Sequence, residues 1–207
     1  IDMDITSLLK EDDACLNIGI NLSKVTSLPK SYLSSLEPRI SPYHSQLLRT
    51  LQLMKSDNVY ERALSEDNEV VMNLLQGSIS AYKKANFPDA LPQEKLNVLS
   101  AYPKFNAFVN TVVQNDDLFV WQQSLLHVTP SSEVSAKTLF FLGLNALKYE
   151  KSDRARYFFN LSEERATKRD EKDRALFWNY LIDKKTLYLT KLSQSSDINI
   201  YMSLIQI

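Results

Sequence analysis

Glycine is scarce in this sequence, where only three of the 207 residues are glycine. Glycine supplies the left-handed turns, bulges and close backbone approaches that β-sandwiches, barrels and phosphate-binding loops need. Its scarcity argues against those folds and favours helices joined by short polar turns. The sequence also has a single cysteine, so it can form neither an internal disulfide nor a zinc site made of cysteines.

Charge of one sign and long apolar runs are also lacking. The 24 Lys and Arg residues nearly balance the 25 Asp and Glu residues, so the sequence predicts no nucleic-acid partner. No apolar run approaches the roughly 20 residues that span a bilayer, so we expect no membrane span. The sequence begins at Ile1 without the pattern of a signal peptide, as expected of a processed protein or a fragment.

Helical periodicity and capping signals run along the whole chain and predict an all-α fold. Ser41-Pro42 has the form of a helix start, with a capping serine before proline at the first helical position. Three short helices are expected before residue 40. The helices expected after that start lie at about 58–65, 67–85, from Pro92, from Pro103, and at 118–128, 131–150, 153–167, 171–183 and 185–194. The segment Ile198–Tyr201 alternates like a strand but has no partner segment.

Two regions differ in regularity. Residues 1–128 are predicted to form an irregular region of short helices, and residues 129–207 to form regular stacked helical hairpins that continue from it. The fold expected for the chain is a right-handed superhelix of stacked antiparallel hairpins, similar to tetratricopeptide repeats.

One stretch carries most of that repeat signal. Residues 139–159 match the tetratricopeptide pattern with a Leu-Gly pair at Leu142-Gly143, a small residue at Ala155 and an aromatic residue at Phe159. Small residues let the two helices of a hairpin approach closely, and the aromatic ring then fills the gap to the next hairpin. We therefore expect Ala155 to pack near Gly143.

Candidate residues for chemistry do not form any known constellation. His44 and His127 lack a metal-type spacing, and Cys15 has neither a histidine nor a second cysteine beside it. Acidic pairs such as Glu163-Glu164 lack the apolar setting that raises the pKa of a carboxyl group. The sequence therefore predicts no catalytic, cofactor-binding or metal-binding residues, and no cofactor.

Charged and aromatic residues are concentrated in the second region. Between Glu163 and Arg174, ten of twelve residues are charged with mixed signs, which predicts an exposed edge with local ion pairs. The aromatic residues of this region either line a sugar-binding surface or, as we favour, pack in the core. They are Tyr149, Tyr157, Trp178, Tyr180 and Tyr188.

The sequences Ala175-Leu176-Phe177-Trp178, Tyr188–Leu192 and Ser196–Tyr201 follow one another in an order that resembles soluble lytic transglycosylases. The similar part of that family is the α-superhelical region before its catalytic domain. The resemblance covers about 139–201, roughly a third of the chain, and residues 202–207 depart from it. The Glu-Ser motif that carries the family's catalytic glutamate does not occur in this sequence.

The resemblance implies a periplasmic protein of bacterial cell-wall turnover whose partner is a peptidoglycan glycan strand or another protein. On this reading the chain is the non-catalytic superhelical domain of a glycan-cleaving enzyme, and no catalytic residue carries over to it. Two other readings stay open. One is a tetratricopeptide-like scaffold for protein–protein interaction, unrelated to peptidoglycan. The other is a small all-α enzyme with a site built from scattered residues.

Overall fold

A computed structural model describes residues 3–26, 28–79, 90–195 and 200–203. Every regular element in those ranges is a helix, which confirms the all-α prediction. The chain divides into two compact units, Ile1–Phe108 and Val109–Ile207. The change from irregular to regular helices at residue 129 was inferred from sequence patterns and stays a prediction.

The first unit is built from short helices around a leucine-rich core. Its helices are α1 (Ile5–Leu8), α2 (Asp13–Gly19), α3 (Leu22–Thr26), α4 (Lys30–Leu36), α5 (Ser45–Lys55), α6 (Val59–Ser65), α7 (Asn68–Ile79), α8 (Gln93–Leu99) and α9 (Lys104–Val113), the last of which contains the limit between the units. A 3₁₀ turn, Glu37–Arg39, follows α4. Buried side chains from α1 to α7, among them Leu8, Leu33, Leu51 and Leu74, form one continuous core cluster.

A single arginine ties the start of this unit to its middle. The Arg39 guanidinium donates to the carbonyl oxygens of Leu9 at 2.8 Å and Glu11 at 2.5 Å, and its Nε lies 2.7 Å from an Asp13 carboxylate oxygen. These bonds satisfy carbonyl groups that the short first helices leave without helical partners. Polar contacts thus supplement a core that helices of four to seven residues cannot organise alone.

The second unit contains longer helices in sequence. After a 3₁₀ turn at Asp116–Leu118 come α10 (Phe119–Leu125), α11 (Ala136–Lys148), α12 (Ser152–Arg165), α13 (Arg169–Asp183), α14 (Thr186–Ser193) and α15 (Ile200–Ser203). No described helix is both long and apolar enough to cross a membrane.

Helices α11 to α14 pack as consecutive antiparallel neighbours. Ser162, near the end of α12, donates to the carbonyl of Ala136 at the start of α11. Arg156, near the start of α12, pairs with Asp183 at the end of α13 at 2.7 Å. Arg169, at the start of α13, donates to the carbonyl of Lys191 near the end of α14. The hairpin prediction for this region is confirmed at the level of consecutive packed helices.

Two predicted helix starts are wrong. The helix expected from Ser41-Pro42 begins at Ser45, because the Ser41 carbonyl accepts from the His44 amide at 2.9 Å and closes a turn first. The helix expected at 131–150 begins at Ala136, because the Ser135 hydroxyl caps it by accepting from the Thr138 amide.

Other differences are smaller. Between residues 3 and 40 the structure has four α-helices instead of three, since the Asn21 side chain accepts from the Lys24 amide and starts α3. The predicted helix 67–85 begins at Asn68, and its part after Ile79 lies outside the described residues. The candidate strand at the end of the chain is helical from Ile200, while Ile198 and Asn199 lie outside the described residues.

Candidate ligand-binding face

The titratable residues singled out in the sequence lie apart. Cys15 is half-buried on α2. His44 lies just before α5, beside the fully exposed Tyr43, in an open cleft of about 340 Å³. His127 is exposed in the second unit. Within the described ranges, no three histidine, cysteine or acidic side chains are grouped as a metal site would need.

Tight aromatic contacts hold α11, α12 and α13 together. Phe159 of α12 is fully buried, and its ring lies 5.5 Å from that of Phe140 on α11 and 6.1 Å from that of Trp178 on α13, centroid to centroid. Phe140 also meets Trp178 edge-on at 6.4 Å. Helices α11 and α13 therefore lie side by side, parallel to each other, against the same face of α12.

Gly143 is what allows α12 to come this close to α11. A Cβ atom at Gly143 would lie only 2.4 Å from Cε1 of Phe159. Two carbon atoms at that distance clash, so a larger residue would push the helices apart. The match of Gly143 to Phe159 confirms the predicted close approach. The atoms nearest to such a Cβ all belong to the ring of Phe159. Ala155 lies one turn earlier on α12 and is fully buried, and its packing near Gly143 stays a prediction.

Helices α11 and α13 also meet where Arg174 lies on the ring of Phe140. On α11 exposed or half-buried residues recur every three or four positions, and on α13 four of the residues that are not fully buried have the same spacing. We call this surface the α11–α13 face. Its residues are Lys137, Phe141, Leu144 and Lys148 on α11, and Asp170, Arg174, Phe177 and Leu181 on α13.

Aromatic rings form the middle of the α11–α13 face. Phe141 is half-buried and its ring lies 6.3 Å from that of Phe140. Phe177 is also half-buried: it packs against the small core formed by Leu176, Tyr188 and Leu192 and meets the ring of Tyr201 at 5.5 Å. Charged residues, Lys137 and Asp170 among them, surround these rings. Such a partly exposed aromatic strip with a polar rim is typical of a binding surface.

Arg174 occupies the seam between the two helices. Its guanidinium carbon lies 4.0 Å from the centroid of the Phe140 ring, a cation–π contact. Its Nε is buried and has no hydrogen-bond partner among the described residues. Arg174 thus brings a positive charge to the edge of the aromatic strip.

Matched positions in the two hairpins are 34 residues apart. Asn145 and Asn179 are both buried, and in each the amide nitrogen donates to an oxygen of the segment before it, Gln122 or Asn160. Their Oδ1 atoms are buried without a partner in the described part of the chain. The residue types at most other equivalent positions differ, which is why the sequence analysis missed this offset.

The hairpin turns repeat with the same offset. Glu150, between α11 and α12, and Lys184, between α13 and α14, have φ values of 58° and 56°. In both turns the next helix begins two residues later, at Ser152 and Thr186. The two hairpins are therefore built on one local plan.

The charged run is less uniform than its sequence suggested, and the prediction of a simple exposed edge is wrong for Asp173. This side chain is fully buried. One carboxylate oxygen lies 2.9 Å from Nε of Arg169, and the other accepts from the Ser195 hydroxyl at 2.5 Å. Arg169 of the same helix and Ser195 of the segment after α14 thus flank the buried carboxylate, so Asp173 has a structural role.

The five aromatic residues proposed from the sequence mainly pack or bond internally. Tyr188 belongs to a small core with Leu176 and Leu192, and Tyr180 packs against it. Tyr149 donates to the side-chain oxygen of Gln122. The Arg154 guanidinium covers the ring of Tyr157. Trp178 alone borders the α11–α13 face.

The first unit has a polar cleft of about 290 Å³ between α5, α6 and the 3₁₀ turn. Glu37 pairs with Lys55 at 2.5 Å and accepts from the Gln52 amide at 3.0 Å. These two hydrogen bonds, that of Lys55 first, hold the pKa of the Glu37 carboxyl below its ordinary value. Because Lys55 and Glu37 neutralise each other, this cleft offers a ligand less than the α11–α13 face does.

Comparison with known proteins does not identify the chain: no protein-family model matches it, and no curated protein matches it significantly.

Proposed function

We propose that this chain is the non-catalytic superhelical domain of a periplasmic soluble lytic transglycosylase, and that it binds peptidoglycan strands on the α11–α13 face. The observation that carries the proposal is the partly exposed aromatic strip shared by two parallel helices, in the part of the chain that resembles the family. Aromatic rings suit a sugar because each hexose has an apolar face that packs flat on a ring.

The hairpin geometry supports a tetratricopeptide-like superhelix. Helices α12 and α14 begin 34 residues apart, at Ser152 and Thr186, which is the period of the tetratricopeptide repeat. The contacts of α13 with both α11 and α12 through Trp178 are what stacking of one hairpin on the next requires. Repetition of such a step produces a long concave surface that accommodates an extended ligand.

The resolved pKa shifts of carboxyl groups among the described residues do not provide an acid for glycan cleavage. Cleavage of a glycan needs an acid whose raised pKa lets it hold a proton beside the scissile oxygen. The shifts found here go the other way: hydrogen bonds lower the pKa of Asp4, Glu37, Glu66 and Asp116. Carboxyl groups of this kind stay ionised near neutral pH and serve as hydrogen-bond acceptors.

The test is co-sedimentation of the purified chain with murein sacculi, followed by analysis of the soluble fraction. We expect the chain to sediment with sacculi and to release no anhydromuropeptides. Release that survives repurification of the protein would contradict the non-catalytic reading. Failure to sediment would contradict glycan binding and favour the protein-interaction scaffold.

A pair of variants locates the binding face. Phe141→Leu keeps an apolar side chain on the face but removes the flat ring, so it should weaken sedimentation with sacculi several-fold. Phe119→Leu makes the same change at an aromatic residue that is 56% exposed on α10, and it should have no effect. Equal loss in both variants would show that sacculi contact the protein without using this face.

A further inference from the structure

Arg174 differs from the other arginines because no carboxylate or carbonyl oxygen of the described residues accepts a hydrogen bond from its guanidinium. The chain has eight arginines, and seven of them reach a carboxylate or a carbonyl oxygen. The carboxylate-bound ones are Arg39, Arg49, Arg156 and Arg169, and the carbonyl-bound ones are Arg62, Arg154 and Arg165. Arg174 forms no ion pair and no hydrogen bond with the described residues. Its guanidinium makes a cation–π contact with the Phe140 ring.

Arg174 lacks an ion pair even though an acidic residue is close to it in the sequence. Asp170 lies one helical turn before Arg174, the spacing at which opposite charges commonly pair along a helix. The Arg174 side chain instead leans across to the Phe140 ring of the neighbouring helix. That contact places the guanidinium against an aromatic surface, and none of the described residues accepts a hydrogen bond from it.

A guanidinium held on a ring is well suited to bind a carboxylate. Its planar donors match the two oxygens of a carboxylate group, and the ring beneath limits the conformations that binding would otherwise have to restrict. The half-buried Phe141 ring lies 6.3 Å from the Phe140 ring, so a carboxylate on Arg174 would bring the attached sugar or peptide close to Phe141.

We propose that Arg174 binds a carboxylate of the peptidoglycan strand and thereby distinguishes this acidic polymer from a neutral glycan. The inference rests on the proposed function and adds the group recognised and the residue that recognises it. Peptidoglycan carries carboxylates of two sources: the lactyl group of muramic acid, where no peptide is attached, and the stem peptide. Both present the same chemistry to a guanidinium.

The experiment is a calorimetric titration of the full chain with three probes. These are peptide-free glycan strands with lactyl carboxylates, N-acetylglucosamine oligosaccharides of the same length, and free stem peptide. We expect the wild type to bind the acidic strand about 10- to 100-fold more tightly than the neutral oligosaccharide, since a charge-assisted hydrogen bond is at stake. If the recognised carboxylate is that of the peptide, the preference appears with the stem peptide instead.

Three variants make the titration specific. Arg174→Gln should abolish the preference, so that the acidic strand and the neutral oligosaccharide bind with similar affinity. Arg174→Lys should restore part of the preference because the charge returns without the planar fork. Arg62→Gln removes the same charge from an exposed arginine of the other unit and should change nothing. Thermal unfolding of each variant shows that it is folded.

Two outcomes would overturn the inference: an equal loss with Arg62→Gln, which indicates non-specific charge attraction, or an unchanged preference in Arg174→Gln. The proposed function fails separately, if neither glycan binds the wild type. In that case Arg174-dependent binding of the stem peptide still supports carboxylate recognition, and no binding of the peptide overturns it.

Discussion

The two units of this chain are both helical, yet they are connected differently. In the second unit the most extensive contacts join consecutive helices, α11 with α12, α12 with α13 and α13 with α14. In the first unit α3 and α5 both pack on α7, which comes much later in the sequence. Local contacts close small loops and form quickly, whereas remote contacts must first overcome the entropy of a long loop.

The cores also differ in composition. The first unit buries mainly leucine, isoleucine and valine from many short helices, and side chains of that kind can shift to accommodate a change. The second unit places a large ring, Phe159, directly on Gly143. An aromatic ring against a glycine leaves little room, so the second unit should be more sensitive to single substitutions at its hairpin interfaces.

The largest effect is expected from Phe159→Ala. It removes a fully buried ring that contacts both neighbouring helices, α11 and α13, which should lower the free energy of unfolding by about 3–5 kcal/mol. Urea denaturation followed by circular dichroism measures it. Phe119→Ala, at an exposed ring, is the control and should change the free energy by less than about 0.5 kcal/mol. Similar losses in both variants would mean that the aromatic cluster is not what holds the hairpins.

A second effect separates the buried from the exposed acids of the charged run. Asp173→Ala leaves Arg169 without its carboxylate partner and should cost about 2–4 kcal/mol of unfolding free energy. Asp170→Ala removes the same charge three positions earlier, on the surface, and should be nearly neutral. Thermal melts of the two variants measure the difference. Equal melting temperatures would contradict the distinction between a buried Asp173 and an exposed Asp170.

Gly143→Ala tests the close approach of α11 and α12, because its effect on the free energy of unfolding should change sign when Phe159 is removed. In the wild type the new Cβ meets the Phe159 ring, so we expect a net loss of about 1 kcal/mol even though alanine is the better helix former. In a Phe159→Ala background the obstacle is gone, and the same substitution should stabilise by up to about 1 kcal/mol. A double-mutant cycle from four denaturation curves measures this coupling. Additive effects would contradict the predicted contact.

The smallest effect concerns the ion pair of Glu37 in the first unit. Because its pKa is lower in the folded than in the unfolded state, its stabilising contribution is present above its ordinary pKa and is lost as pH falls through the folded value. Glu37→Gln should therefore be less stable than the wild type by at most about 1 kcal/mol near neutral pH, and the difference should vanish once the pH lies below the folded-state pKa. A difference that persists in acid would point to a cause other than ionisation.

Much of the helical framework could be predicted from the sequence where local signals act alone. The helix expected at about 58–65 is α6, which Asn58 caps, and α8 begins directly after Pro92. Phe159 also meets Trp178 of the next hairpin, as its spacing in the repeat pattern predicts. In these cases a capping side chain, a fixed proline angle or a helical period determines the result without help from distant residues.

The candidate site was harder to predict because its geometry depends on side chains that meet across helices. Asp173 looked exposed among charged neighbours, and its contact with Ser195, which lies 22 residues later after α14, could not be read from them. Arg174 has an acid one turn away in sequence, so nothing local indicates that it packs on Phe140. The 34-residue offset between Asn145 and Asn179 was hidden because most equivalent positions have different residue types.

Glu150 and Lys184 hold the hairpin turns in a left-handed conformation without glycine, at a steric cost of roughly 1 kcal/mol or more each. Glycine would relieve that cost, but it would also widen the range of conformations open to the unfolded chain, by an amount of similar size. The two effects nearly offset each other, so these turns lose little by doing without glycine. They restrict the denatured ensemble in return, which helps to explain how a chain with three glycines can turn sharply between helices.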